Sequence, residues 1–332
     1  MSMGRPSLYR MLCGAAAVAA LLPGGAAAQE NAAAYPSKVV TIIIPYPAGG
    51  PTDGDTRLYA QKLSEGLGKP FVIDYKAGAG STIGTAYIAK AKPDGYILGS
   101  VTSGLSVNPA LYSDLSFDTA KDIAGVSLMH RRSTMLLAHP AFPAKNWPEY
   151  VAYVKANPGK VNFGTSGAGG IYHMVGAWLH NEIGGKVTYV HYKGAGPAQL
   201  DAVAGRVDVV PSTVYNGLPM VKAGKLRIIA VLSNTRSPLL PDVKTVAEQG
   251  VTDFDYSGWG GIITTGGTPA PILNKLSSEL AKIARMPDML KRAAIDGTEL
   301  VGSTPEAFQK LLVTEIARWK KVAVENSIKL EE

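Results

Sequence analysis

The sequence predicts an α/β protein with a mostly parallel sheet and two domains, and three observations support this. Short apolar runs of strand length alternate with helical patterns along most of the chain. Two of these runs break into Gly-rich turns that are followed at once by a helical pattern. The chain has 332 residues, which exceeds a comfortable single core, so we expect two domains.

The N-terminal residues have the pattern of a secretory signal peptide. Arg5 and Arg10 supply the positive start, and Met11–Leu22 is apolar but too short to span a bilayer. The small residues Ala26–Ala28 fit a cleavage site. We therefore expect residues 1–28 to be removed and the mature chain to lie in the periplasm.

Charge and cysteine content limit the function classes. The formal net charge is +7, and +5 remains once the two leader arginines are removed. The basic residues are scattered and form no stripe interleaved with aromatic residues, so nucleic acid is not an expected partner. Cys13 is the only cysteine and lies in the leader, so the mature chain is expected to have no disulfide and no Cys-based metal site.

The first part of the chain contains three predicted strands and one strong helix. The helix is predicted over Asp53–Leu67, with Thr52 and Asp55 as its start signal and Gly68 as its stop. Its apolar positions recur at four-residue spacing and should face the core. The strands are predicted at Val39–Ile44, Phe71–Asp74 and Tyr96–Val101.

A second alternating block follows, and the chain then ends in mainly helical patterns. We expect the two domains to be joined by short extended crossings near Arg131–Met135 and Asp255–Gly260. The first lobe would then be discontinuous, formed by residues 35–131 and 259–332, with residues 132–258 as the second lobe. The strands of the later part are predicted at Met135–Ala138, Val161–Phe163, Val187–Val190, Val207–Val210, Arg227–Val231 and Gly261–Thr265.

The two Gly-rich turns are the candidate binding loops. Each follows a predicted strand and precedes a helix, so its backbone N–H groups and the helix N-terminus can attract an anion. Two such loops facing each other can hold a carboxylate. The first loop comprises Ala48, Gly49, Gly50, Thr52 and Asp53, and the second comprises Thr165, Ser166, Gly167 and Ala168.

Other chemistries fit these loops poorly. Neither loop has the glycine spacing of a dinucleotide site or the Lys-Ser/Thr ending of a phosphate-binding loop. Ser166 lies in a turn that approaches that of serine hydrolases, but no histidine follows His191, so the required residue order fails. His173 and His180 lie seven residues apart without a suitably placed acid, so no metal site is expected.

Several further motifs, taken in order, resemble one known family. The chain is similar to the Bug, or TctC-like, receptors of tripartite tricarboxylate transporters from about Tyr35 to its end. The order and spacing of the motifs carry the resemblance. They are residues 47–53 with Arg57, 78–80, 93–96, 108–112, 191–198, 205–208, 240–243, 245–248 and 267–269.

The resemblance implies a two-lobed periplasmic-binding-protein fold, type II-like, that closes on a small organic acid without a cofactor, a metal ion or enzymatic activity. It implies membrane transporter subunits as partners and a monomeric receptor. A sensor-kinase ectodomain is the alternative partner, and a hydrolase at Ser166 is the alternative activity. Besides the two loops, the expected ligand-binding residues are Ser103, Asn108, His173, Asp208 and Thr213.

Two departures from the family pattern concern the distal part of the pocket. Gly170–Tyr172 stand where members often have Ser or Thr before the histidine at His173, and Ser212–Thr213 stand where many have Asp-Asn. Both changes make the pocket less polar or less acidic. We therefore expect an aromatic or otherwise apolar carboxylate as the ligand, in preference to citrate or an amino acid.

Overall fold

A computed structural model describes residues 34–329, so the predicted leader lies outside the described residues. The helices of the described part are α1 (Pro51–Leu67), α2 (Thr82–Ala89), α3 (Gly104–Leu111), α4 (Trp147–Ala156), α5 (Ile171–Glu182), α6 (Ala195–Val203), α7 (Val214–Lys222), α8 (Ala270–Ile283), α9 (Pro287–Asp296) and α10 (Pro305–Glu325). Its strands are β1 (Val40–Ile44), β2 (Phe71–Tyr75), β3 (Ile97–Thr102), β4 (Ile123–Ala138), β5 (Asn162–Thr165), β6 (Thr188–His191), β7 (Val209–Thr213), β8 (Arg227–Val231), β9 (Ser257–Thr265) and β10 (Thr298–Leu300).

The strands form two sheets that share β4. In the first sheet, β1, β2 and β3 are parallel, while β9 runs antiparallel to β3 and the first part of β4 runs antiparallel to β9. In the second sheet, the last part of β4 runs antiparallel to β7 and β8, and β5 pairs in parallel with β6 and β7. The predicted α/β class is thus confirmed, but the expectation of a mostly parallel sheet is wrong. Strands β4 and β9 pair antiparallel with their neighbours, so the sheet is mixed.

The two predicted crossings fall on paired strands. β4 and β9 run side by side here, with Arg131 opposite Trp259, Arg132 opposite Gly258 and Ser133 opposite Ser257. The chain therefore passes between the sheets as a hydrogen-bonded strand pair. The exact division into residues 35–131 with 259–332 and residues 132–258 remains a prediction.

Each sheet has its own apolar core. Ile42, Leu63 and Leu98 are fully buried in a cluster on the first sheet. A cluster on the second sheet contains Phe163 together with Trp319 of α10. The last helix thus contributes to the packing of the second sheet as well as to that of the first.

The start of α1 differs from the prediction, whereas its end agrees. The N-cap residue is Gly50 and the helix begins at Pro51, so Thr52 lies in the first turn and makes no capping hydrogen bond. Proline favours this first position because its missing N–H has no helical partner there. Gly68 ends the helix in the left-handed conformation and donates its N–H to the Ser64 carbonyl, as predicted.

Candidate functional site

The first Gly-rich loop is closed on itself by Asp53. Gly49 has a φ of +85°, which favours glycine, and its N–H donates a 2.8 Å hydrogen bond to Asp53 Oδ2. The other carboxylate oxygen accepts from the Tyr75 hydroxyl at 2.7 Å and lies 2.8 Å from Arg57 Nε. The Gly49 N–H and the Tyr75 hydroxyl lower the pKa of Asp53 below its usual value. Asp53 therefore braces the loop and also forms an ion pair with Arg57, one helical turn further on.

The second loop is braced by two histidines. Thr165 Oγ1 lies 2.8 Å from His191 Nδ1 and accepts a 3.3 Å hydrogen bond from the Gly167 N–H. The Gly169 N–H donates to His173 Nδ1 at 3.0 Å, which leaves the His173 proton on Nε2. Burial lowers the pKa of His173 to about 4, so its ring is neutral at pH 7. Ser166 and Ala168 lie between these anchored positions and are half-buried and exposed, respectively.

A cavity of about 240 Å³ lies where β4 and β9 cross between the sheets. Residues of both sheets line it, so it is a cleft between the two halves of the molecule. Of the predicted site residues, Thr52, Ser103 and Thr213 line it. The other lining residues are Asp55, Ser100, Val101, Thr102, Met129, His130, Arg132, Ile171, Tyr172, Tyr256, Gly258, Trp259 and Gly260.

The charged side chains of the cavity wall compensate each other. Arg132 donates two hydrogen bonds to the Asp55 carboxylate, at 2.9 and 3.0 Å, and a third from Nε to Thr298 Oγ1 at 3.1 Å. His130 is buried, and burial together with the nearby Arg132 lowers its pKa to about 4. The wall therefore presents a neutral imidazole and one internal ion pair at pH 7.

Aromatic rings form the apolar part of the wall. Burial raises the pKa of Tyr172 to about 12 and raises that of Tyr256 further, so both phenols stay protonated and can donate. Trp259 is 4% exposed, and its Nε1 donates to Glu315 Oε2 at 2.8 Å. The Ser103 and Tyr256 hydroxyls lie 3.4 Å apart. The cavity thus combines hydroxyl donors with a rigid aromatic surface.

Asn108 is more distant from the cavity than predicted. The segment after β3 forms α3, with Ser103 as its N-cap residue. Asn108 lies within this helix and donates to the Gly80 carbonyl and the Ser81 hydroxyl, both at 3.2 Å. It therefore joins α3 to the neighbouring turn and is not part of the cavity lining.

Asp208 lies at the opposite end of the second sheet from the second Gly-rich loop. It precedes β7, and its Oδ2 accepts the Asn162 N–H at the start of β5. Thr213 is instead the last residue of β7, and the second loop begins at Thr165, the last residue of β5. Each strand residue advances about 3.3 Å, so the length of the strand separates Asp208 from the cleft.

The loop residues Ala48, Gly49, Gly50, Asp53, Thr165, Ser166, Gly167, Ala168 and His173 do not line the cavity in this structure. Sequence reasoning missed its charged and aromatic residues instead. Arg132, Tyr256 and His130 were given no binding role, and Tyr172 was considered only as part of a departure from the family pattern that makes the pocket less polar. The available signal was position, because His130, Arg132 and Tyr256 flank or occupy the predicted crossings.

Within residues 34–329, no helix is long and apolar enough to cross a membrane, and no group of three or more His, Cys, Asp or Glu residues is placed to hold a metal ion. Two sheets joined by crossing strands, with a cleft at the crossing, define the class of two-lobed binding proteins. The family model described as "Tripartite tricarboxylate transporter family receptor" matches residues 56–328. The chain belongs to this family, which confirms the resemblance seen in the sequence.

Curated relatives match over nearly their whole length. The chain is 37% identical over 310 residues to the "UPF0065 protein in the TAR-I ttuE-ttuC' intergenic region" of Agrobacterium vitis, covering 92% of this chain and 89% of the relative. It is 31% identical over 309 residues to "Protein BugT" of Bordetella pertussis, covering 92% and 95%. The family resemblance therefore extends over both sheets.

Solved structures confirm the predicted fold class. A periplasmic binding protein, BugD, is 31% identical with a TM-score of 0.73, covering 89% of this chain and 100% of that chain. Rpa4515 of R. palustris with adipate is 30% identical with a TM-score of 0.76, covering 89% and 100%. MatC of Rhodopseudomonas palustris with bound malate is 30% identical with a TM-score of 0.73, covering 87% and 99%.

Proposed function

We propose that this chain is a periplasmic receptor that captures a small carboxylic acid with an aromatic or apolar body. It would deliver the acid, as a monomer, to the membrane subunits of a tripartite tricarboxylate transporter. Membership of the receptor family supports the transport role, and the family's structural neighbours with adipate and malate support an organic acid as ligand. The aromatic or apolar preference is specific to this chain.

One observation carries the proposal: the cleft between the sheets is walled by Tyr172, Tyr256 and Trp259 and carries no uncompensated charge at pH 7. A flat or apolar ligand body gains from contact with such rings. A highly charged acid such as citrate would leave several carboxylates without counter-charges, which is costly inside a cleft.

Hydroxyl groups from both sheets can hold the ligand's carboxylate. Thr213 Oγ1 accepts the Asn216 N–H, so its own hydrogen remains available to donate. Ser103 and Thr52 reach the cavity from the first sheet. The Gly49, Gly167 and Gly169 N–H groups already have internal partners. If the two Gly-rich loops contribute, they do so through other N–H groups or after the lobes close.

A thermal-shift screen followed by calorimetric titration tests the proposal. Benzoate, hexanoate, adipate, malate and citrate would be compared on the purified mature chain at pH 7. A ligand present at 100 times its Kd raises the unfolding free energy by about 2.7 kcal/mol, which the screen detects. Benzoate or hexanoate should bind most tightly. Tight binding of citrate without binding of an aromatic or apolar acid would contradict the proposed ligand class.

A further inference from the structure

The ion pair in the cavity wall joins helix α1 to the crossing strand β4. Asp55 lies in α1, and Arg132 lies in β4 at the crossing between the sheets. Their side chains are 14% and 21% exposed, so solvent screens the pair only partly. The guanidinium faces the carboxylate with its two terminal nitrogens, which is the strong two-point geometry of an arginine–carboxylate pair.

This pairing uses the part of Arg132 that a ligand carboxylate would need. The terminal nitrogens bind Asp55, and Nε binds Thr298, so three of the five N–H donors of an arginine are occupied. A second ligand carboxylate approaching the same guanidinium would also meet the negative charge of Asp55. Like charges at close range in a partly buried site repel strongly.

No other cation in the cavity wall could bind a second ligand carboxylate. The titratable side chains that line the cavity, apart from the tyrosines, are Asp55, His130 and Arg132. His130 is buried, and its Nε2 lies 3.7 Å from Asp55 Oδ2, beyond hydrogen-bonding distance. The net charge of the lining therefore depends on whether Arg132 is compensated by Asp55.

We propose that Asp55 is a specificity-determining residue: by holding Arg132, it makes the site select acids with one carboxylate over matched acids with two. This inference rests on the proposed function, because it assumes that carboxylates bind in this cleft. It attributes the selection between acids with one and two carboxylates to a single residue, so substitution of that residue should remove the selection.

The experiment compares pairs of acids that differ only in the second carboxylate. Adipate is compared with hexanoate, and terephthalate with benzoate, by calorimetric titration at pH 7. The readout is the ratio of dicarboxylate to monocarboxylate affinity, because a merely structural loss would weaken both members of a pair alike. The wild-type chain should favour the monocarboxylate in each pair.

Asp55→Asn keeps the shape of the side chain and frees the guanidinium charge. A hydrogen-bonded charge pair between Arg132 and the ligand should then raise the affinity ratio by about 10- to 100-fold. The double variant Asp55→Asn with Arg132→Gln removes both charges and should return the ratio towards that of the wild type. Arg132→Gln alone leaves Asp55 uncompensated and should lower the ratio below it.

A matched control breaks an ion pair elsewhere on the same helix. Asp288→Asn removes the partner of Lys62 of α1, a pair of 2.8 Å that is not part of the cavity lining. Its ratio should equal that of the wild type. If Asp55→Asn does not fold, the other two variants still test the proposal. The affinity ratio of Arg132→Gln should then be lower than that of the double variant.

The outcomes separate this inference from the proposed function. An unchanged ratio across all variants would overturn the role of Asp55, even if the wild type binds hexanoate or benzoate. A wild type that binds none of the four acids would contradict the proposed function. If the wild type binds none of the four acids but Asp55→Asn binds adipate, the inference about Asp55 still holds. If Asp55→Asn also binds none of the four acids, the inference and the proposed function are both contradicted.

Discussion

Trp259 donates its indole N–H to Glu315, so the wall of the cleft is tied directly to the last helix. Glu315 lies in α10, is 5% exposed, and also accepts a 2.8 Å hydrogen bond from the Ser106 hydroxyl of α3. Trp319 of the same helix donates to that hydroxyl at 3.2 Å. A strand of the crossing, the helix after β3 and the C-terminal helix thus share one buried polar network.

Removing the acceptor of this network should destabilise the protein. Glu315→Ala leaves the buried Trp259 N–H without its acceptor, which costs about 1–3 kcal/mol. The Ser106 hydroxyl can still donate to the Ser103 carbonyl at 2.7 Å. Glu315→Gln keeps an acceptor oxygen and should cost less. Urea unfolding monitored by tryptophan fluorescence measures both. Equal midpoints for Glu315→Ala and the wild type would show that the network does not contribute.

Glu315 should also make the difference in stability between Glu315→Gln and the wild type depend on pH. Burial raises the pKa of Glu315 above 4.5, so from about pH 4.5 upward the unfolded chain loses this proton before the folded chain does. The contribution of Glu315 to stability is therefore present at low pH and is lost as the pH rises through its folded pKa. Glu315→Gln, which cannot ionise, should gain stability relative to the wild type between pH 4.5 and 7. A constant difference over this range would contradict the raised pKa.

His180 should produce the opposite pH dependence. It is buried beside Tyr150, with Nδ1 2.6 Å from the Gly176 carbonyl and Nε2 2.9 Å from the Tyr150 hydroxyl. Burial lowers its pKa from 6.5 to about 4, so the unfolded state takes up the proton first as the pH falls. Roughly 2–3 kcal/mol of stability should be lost between pH 6.5 and 4 through this residue.

The check on His180 is the slope of stability against pH. His180→Gln can still donate and accept a hydrogen bond but does not titrate in this range. Its unfolding free energy should fall less steeply from pH 6.5 to 4 than that of the wild type. Equal slopes in His180→Gln and the wild type would contradict the lowered pKa of His180.

Gly50→Val tests whether the first Gly-rich loop contributes to binding. Gly50 has a φ of −79°, which any residue adopts, and an added Cβ would meet only the Pro47 carbonyl oxygen at 3.8 Å. The variant should therefore fold normally. If this loop approaches the carboxylate after closure, the side chain blocks that approach, and affinity should fall at least about tenfold, the value of roughly one charged hydrogen bond.

The control for this variant is Gly54→Ala. Gly54 is exposed in the first turns of α1, and an added Cβ would meet open space, so ligand affinity should stay at the wild-type value. Calorimetry with the acid that gives the largest thermal shift provides both measurements. Unchanged affinity in Gly50→Val would assign binding to the cavity hydroxyls without the first loop.

The regular part of the fold could be predicted because it depends on local patterns. Strands β1, β2 and β3 and helix α1 follow from apolar runs, helical spacing and a glycine stop, and they begin within two residues of the predicted positions. The first part of β4 was missed, since its Gly, Ser, His and Arg residues hide the strand pattern. His130 and Arg132 line the cavity, whereas Gly125 and Ser127 face α10 and the segment before it.

The site itself could be predicted only in part. Thr52, Ser103 and Thr213 follow strand ends on the cleft side, and that position is readable from the sequence. The pairing of Asp55 with Arg132 joins residues far apart in the chain, so no local pattern indicates it. Asp208 was predicted from a family motif. A motif identifies a residue's neighbours in the sequence but does not show at which end of the sheet the residue lies.

Because side chains alternate along β4, the binding site depends on which residues of this strand face the cleft. His130 and Arg132 line the cleft, whereas Arg131 and Ser133 line a separate cavity. Inserting or deleting a single residue shortly before His130 would exchange these two sets while the strand continued into both sheets. Such a protein would keep its two halves and lose the arginine–aspartate contact, so length in this segment is constrained as strictly as residue identity.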